Sequence, residues 1–181
     1  QTHGGLSFNA TDRPQRAMTH SHPSHDPTLP DDATSAAERR ARVAQRMREE
    51  TGIDESMIEQ LVHRFYARIR ADEMLGPIFN ERVQDWDKHL KRMCEFWSSV
   101  MLATGVYQGT PMRMHLPLPV DARHFDHWLA LFEDTARGLF GERIAALFME
   151  RARRIALSLE VGIAGTHGVL LGKHERFYRP D

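Results

Sequence analysis

The sequence predicts an all-α fold, and three observations carry that expectation. Apolar residues recur at three- and four-residue steps along five stretches between Ala36 and Leu159, the breaks between them fall at Gly, Pro and Asp, and no alternating strand pattern of useful length occurs. At 181 residues with 41% hydrophobic content, the chain suits one domain with a sizeable core. A formal charge of −1 leaves no electrostatic footprint for nucleic acid, and no apolar run is long enough to span a bilayer. The single cysteine, Cys94, excludes an intramolecular disulfide, and residues 1–5 lack the apolar core of a secretory signal, so a reducing cytoplasm is the expected compartment.

Residues 1–35 are rich in Pro, Asp, Thr, Ser and His and too poor in apolar side chains to offset the entropy of ordering, so a disordered N-terminal tail is expected. For His20, His22 and His25, solvated tail residues are a simpler reading than a metal site. The domain is expected over residues 36–160. It opens with a charged helix from Ala36 to Glu50, whose small-residue stripe is Ala37, Ala41, Ala44 and Met47, stopped by Gly52. Its arginines are diluted by Glu38, Glu49 and Glu50, which favours a solvated face over a membrane or nucleic-acid surface.

Asp54 is a good N-cap for a second helix through Leu61, Val62, Phe65, Tyr66 and Ile69, with Ile53 and Ile58 placed as a hydrophobic staple. Leu75-Gly76-Pro77-Ile78-Phe79 is expected to break that helix and form an apolar corner. Asp85 can cap a long helix running to Ala103, and Thr110-Pro111 restarts a short one that Pro117 and Pro119 close. Asp121 is a plausible cap for a helix through Phe125, Trp128, Phe132 and Leu139 that ends near Gly141. A last periodic helix runs from Ile144 to Leu159, and residues 161–181 are expected to be a loose C-terminal tail.

Two histidines stand out by their different neighbourhoods. His89, Met93 and Trp97 form one ridge at four-residue spacing on the helix that starts at Trp86. Taken alone, that helix is better explained as a core element with a satisfied histidine near its start. His115 sits among Met112, Met114 and Leu116 on a stub too short to be stable by itself, between prolines that fix the backbone direction. It reads equally as a turn histidine or as an imidazole in apolar surroundings, which is what a haem iron takes as an axial ligand. Tyr66 and Trp128 lie on apolar helix faces, where each is either core or a hydrogen-bond donor to a bound diatomic molecule. Donors converging from different helices, Tyr66, His89 and Trp128, would stabilise a ligand on which negative charge accumulates.

Together these residues resemble a known family. Leu75-Gly76-Pro77-Ile78-Phe79, Asp85-Trp86 with His89, Phe96-Trp97-Ser98-Ser99, Gly105-Val106-Tyr107-Gln108-Gly109, Pro111 with His115, His124-Phe125 with Trp128-Leu129, and Arg151-Ala152-Arg153-Arg154-Ile155-Ala156 are similar to the group III truncated haemoglobins. The resemblance runs from about Met57 to about Leu159. It implies a truncated globin fold, a two-over-two helical sandwich around haem b, with His115 as the proximal iron ligand. By the same likeness Tyr66 is the main distal donor, His89 a distal histidine that either gates the pocket or contacts the ligand, Trp128 a second donor, and Phe65, Met93, Trp97 and Met112 line the cofactor. His124 or Arg113 is a candidate to reach a haem propionate.

Three functions compete at that point. The first is reversible binding of dioxygen, nitric oxide or carbon monoxide. The second is a haem enzyme, a nitric oxide dioxygenase or a peroxidase-like catalyst served by a reductase, in which His89 is the only evident base. The third is a helical interaction module without cofactor. His63, His124 and His127 read as surface or helix-end residues, and Cys94 as a small packing residue.

Overall fold

The computed structural model describes residues 35–180, so the expectation for residues 1–34 lies outside the described residues. Ser35 is an N-cap: its hydroxyl accepts from the Glu38 amide at 3.2 Å while the Glu38 carboxylate accepts from the Ser35 amide at 2.8 Å. That reciprocal capping box starts α1, Ala36–Thr51, which a left-handed turn at Gly52 closes. The helix packs through Ala44 and Met47 on the helix that begins at Trp86 and leaves its arginine-rich face exposed.

Three aspartates start the other long helices for one reason, that a carboxylate outside the first turn accepts the amide protons the helix itself cannot use. Asp54 accepts from Met57 and opens α2, Glu55–Ala71; Asp85 accepts from Lys88 and opens α4, Trp86–Leu102; Asp121 accepts from Arg123 and opens α6, Ala122–Thr166. Ile53 and Ile58 are both buried, as the staple requires.

The stretch at Leu75–Phe79 follows the end of α2 as an apolar corner, and it is itself helical: it leads into α3, Gly76–Arg82, with Pro77 in its first turn. Asp72 makes this possible by accepting from the amides of Met74 and Leu75 at 3.0 and 2.8 Å, which reverses the chain after α2. Pro111–His115 forms α5, a single short helix.

Helix α6 is two arms joined at Gly141, whose φ of 76° and ψ of 178° only glycine adopts without strain. There the chain doubles back. Arg153 on the second arm reaches Glu133 on the first at 3.3 Å, and the Phe148 ring meets both Phe132 and Phe140. The two arms of α6 therefore form one helix pair, α2 and α4 form the other, and α2 packs against both α4 and α6. This is the expected two-over-two all-α arrangement.

The second arm runs to Thr166 rather than ending at Leu159, and the segment beyond it is anchored instead of loose. Phe177 is buried, its carbonyl accepts from the Ala122 amide at 2.8 Å, and Arg176 forks onto Glu160. Such anchoring rests on isolated residues far apart in the chain, so it leaves no periodic trace.

Apolar side chains gather in two clusters. The first centres on Phe65, Trp97, Phe132 and Phe148; the second joins Val120, Phe125, Ile163 and Phe177 with Met112 at its border. Leu129 and Ile155 touch both.

Candidate functional site

Consecutive residues on α2, Phe65 and Tyr66, are both buried because that helix is enclosed on two sides, by α4 and by α6. Phe65 points into the first core, edge-on to Phe132 and Trp128 with centroids 5.0 and 5.1 Å away. Tyr66 turns the other way, toward α3 and the start of α4, and its ring meets Phe79 at 5.9 Å, His89 at 5.1 Å and Trp86 at 6.4 Å. Burial first, then the thiol of Cys94 and the phenol of Tyr107, push the Tyr66 hydroxyl far above the ordinary tyrosine range. It remains a protonated donor at any physiological pH.

His89 lies in the first turns of α4 with its ring half-buried against Tyr66 and Trp86. Its Nε2 is enclosed and has no hydrogen-bond partner, the one such buried side-chain polar atom among the described residues. An unpaired group of this kind costs roughly 1–3 kcal/mol, and a native structure retaining one calls for an explanation. Burial, the Arg92 guanidinium and His115 all lower its proton affinity, so the imidazole is neutral.

His115 ends α5. Its Nδ1 lies 2.7 Å from the Pro111 carbonyl oxygen, which can only accept, so Nδ1 carries the proton and Nε2 the lone pair. Burial lowers the proton affinity of this ring, against the opposing pull of the Pro111 carbonyl, and its charge would be felt at His89. The fold thus holds two neutral imidazoles within electrostatic reach of each other, one tautomer-locked by its own backbone and one with an unsatisfied nitrogen. That pairing fits a haem, which needs a neutral axial imidazole with an oriented second nitrogen.

The other expected residues divide between the clusters. Trp128 stacks on Phe132 at 5.0 Å and 8° and shares the neighbour Phe65 with Tyr66. Trp97 stacks on the same phenyl at 4.9 Å, and Met93 is half-buried against this core. Met112 packs with the second cluster, its sulfur lying where a Cβ on Gly162 would fall. His124 Nδ1 sits 3.0 Å from Asp121 Oδ1 in the cap of α6, an arrangement that commits the ring to the helix start, while Arg113 is exposed.

Two groups at the site escape a reading of the sequence. The guanidinium of Arg92 lies over the Tyr107 ring, 5.5 Å from its centroid, on the side of α4 that also presents His89 one turn earlier. The three-residue spacing of Trp86, His89 and Arg92 is a legible signal for that face. The Pro111 carbonyl is backbone, and nothing in the sequence marks it. A groove of about 400 Å³ between α2 and α4, lined by Ile58, His63, Leu90, Cys94 and several carboxylates, contains none of Tyr66, His89, Trp128 or His115. Within it, burial raises the Cys94 thiol, which keeps it protonated.

The family model of bacterial-like globins matches residues 47–140. That span contains Tyr66, His89, His115 and Trp128, and it is more than half of the chain. The chain belongs to the bacterial-like globin family. Within it the likeness is to truncated haemoglobins: the chain is 35% identical over 109 residues to the Group 3 truncated hemoglobin ctb of Campylobacter jejuni, covering 58% of this chain and 86% of that protein. It is 31% identical over 103 residues to the Group 2 truncated hemoglobin YjbI of Bacillus subtilis, covering 53% of this chain and 76% of that one. The crystal structure of the group III truncated hemoglobin from Campylobacter jejuni superposes with a TM-score of 0.56 at 33% identity, over 59% of this chain and 88% of that chain. The resemblance read from the motifs, to the third group of truncated haemoglobins, therefore holds for both sequence and fold. Membership brings a globin-type haem-binding function to this truncated globin. No helix among its described residues is long and apolar enough to cross a membrane.

Proposed function

We propose that this truncated globin binds a diatomic gas, dioxygen or nitric oxide, at haem b whose iron is held by His115, with Tyr66 and His89 on the ligand side. The observation that supports it most is the Nδ1 proton of His115 committed to the Pro111 carbonyl, because this leaves Nε2 as the nitrogen free to ligate. When bound, the haem supplies an iron centre that takes a diatomic molecule and donates electron density to it. The protein supplies the rest. Tyr66 donates a hydrogen bond from a hydroxyl that burial keeps protonated, and the unsatisfied Nε2 of His89 gains a partner at the same place. Arg92, whose charge reaches His89, is suited to pair with a haem carboxylate.

Trp128 acts in this reading as the wall behind Phe65 and as a further donor, and Phe65, Met93 and Trp97 from the first cluster and Met112 from the second are the side chains that would line the haem. The gas ligand is the partner, and a reductase is the partner that restores the ferrous state.

Nitric oxide dioxygenation is the second reading, favoured by a buried Tyr66 hydroxyl that stays protonated and able to donate to bound dioxygen, since slow release of dioxygen suits its consumption in place. Peroxidase-like turnover is less well served. A backbone carbonyl polarises the His115 imidazole less than a carboxylate would, so less electron density is available to break an oxygen–oxygen bond.

The deciding experiment is an absorption spectrum of the purified, haemin-reconstituted protein, reduced, with and without carbon monoxide. A five-coordinate ferrous spectrum that shifts with carbon monoxide is expected, and His115→Ala should lose it. A His115→Ala protein with the wild-type spectrum would remove His115 from the iron. Tyr66→Phe should speed dioxygen release about 10- to 100-fold, the equivalent of roughly 1.5–3 kcal/mol for a hydrogen bond to a charged partner.

A further inference from the structure

The segment after α6 lies outside the family match, yet it is tied to the short helix that carries His115. Glu160, on the second arm of α6, is 2% exposed. A buried carboxylate is costly unless paired and hydrogen-bonded, and Glu160 is both. Arg176 donates from Nε to Oε1 and from Nη2 to Oε2, each at 2.9 Å, and the Phe177 amide donates to Oε1 at 2.8 Å. The same guanidinium donates to Asp126 at 2.8 and 3.2 Å and to the Ala122 carbonyl at 3.3 Å.

This fork places the next residues against the exit of α5. The Phe177 ring is buried in the cluster that contains Val120 and Ile163, on which Met112 also packs. The Phe177 carbonyl accepts from the Ala122 amide at 2.8 Å, and the Arg179 amide donates to Asp121 Oδ2 at 3.3 Å. On its inner side α5 rests in the notch left by Gly162, where Met112 Sδ and a Leu116 methyl approach the backbone of α6. Five residues cannot hold a helix by their own hydrogen bonds, so the position of α5 is set by what it leans on.

We propose that residues 172–179 form a strap, clamped by Arg176 on Glu160, that positions His115 by fixing the wall beneath α5 and the loop leaving it. Arg176 is a positioning residue. The inference rests on the proposed role of His115, and its test separates the two.

Hydrogen exchange of the haem-free full-length chain comes first. Arg176→Ala should speed exchange in residues 112–122 by about tenfold or more while α2 and α4 keep their rates. In haem-reconstituted protein the same substitution should shift or broaden the iron–histidine stretching band and raise haem release about tenfold, as loss of a ligand-orienting partner does. Arg154→Ala, which removes an exposed ion pair with Glu150 on the same arm, should change neither. Should the alanine variant not fold, Arg176→Lys keeps the charge but loses the fork and should give the same pattern at smaller amplitude. Exchange that rises evenly through the chain or stays at the wild-type rate, with an unchanged iron–histidine band, would overturn the proposal. A wild-type protein that takes up no haem would instead defeat the reading of His115, and the exchange measurement would still decide whether the strap governs α5.

Discussion

The Tyr66 ring stands edge-on to the His89 imidazole, with centroids 5.1 Å apart and planes at 84°. Edge-to-face contact satisfies the ring quadrupoles but leaves the imidazole nitrogen unpaired, so the pair is packed without being hydrogen-bonded at Nε2. The site accepts a local stability cost at the place where a ligand would supply the missing partner.

Replacing His89 by leucine tests that cost. The substitution removes an unsatisfied buried nitrogen and keeps an apolar side chain against Tyr66 and Trp86, so the haem-free protein should gain about 1 kcal/mol. Urea unfolding of the two haem-free proteins measures it. A loss of stability of similar size would mean that Nε2 has a partner in solution and is not left open for a ligand.

Helix α3 reaches Tyr66 through Phe79, and its approach to α2 depends on Gly76. A Cβ there would lie 3.0 Å from the Arg70 carbonyl oxygen and 3.2 Å from that of Ile69, and backbone atoms cannot step aside as a flexible side chain can. Gly76→Ala should therefore cost about 1–3 kcal/mol, the usual range for overpacking, despite the better helix propensity of alanine. Thermal unfolding with and without the substitution checks this, and an unchanged midpoint would show that α3 can shift freely.

Phe132 is stacked on both Trp97 and Trp128 and is 1% exposed. Truncation to alanine removes the shared partner of the two indoles and should cost about 3–5 kcal/mol. Tryptophan emission should move to longer wavelength as water enters. A blue or unshifted emission with a small stability loss would mean that the two indoles close onto each other.

How much of the fold is legible in the sequence depends on the range of each interaction. Asp54, Asp85 and Asp121 act on amides two or three residues away, so an aspartate ahead of an apolar periodic run identifies each cap, and Gly141 marks the break inside α6 by its own backbone freedom. Tyr66 and His89 can be assigned to inward helix faces from spacing, although their contact depends on how α2 crosses α4. The turn at Asp72 is hidden because its acceptor precedes a Gly-Pro pair that reads as a breaker. The strap is hidden because Glu160 and Arg176 meet across sixteen residues with no periodicity between them. The lock on His115 is a main-chain carbonyl, which any residue at position 111 would supply, so side-chain chemistry carries no sign of it.

Asp121 joins the cap of α6 to the strap, and its titration gives the fold an acid-sensitive joint. Burial alone would raise this carboxyl, but Arg123, His124 and the amides of Arg179 and Arg123 outweigh it and hold the group well below the ordinary carboxylate range. With the folded value below the unfolded one, the stabilisation is complete above the unfolded value of about 3.9 and is lost as pH falls from there toward the folded value. Asp121→Asn lacks the charge at every pH. It should be less stable than the wild type by about 1–2 kcal/mol near pH 7, the typical worth of an N-cap with charged partners, and the gap should narrow below pH 4. Urea unfolding of both haem-free proteins at neutral and acid pH reads the difference directly. An equal gap at both ends would mean that the carboxylate contributes by shape and hydrogen bonding alone, with no share from its charge.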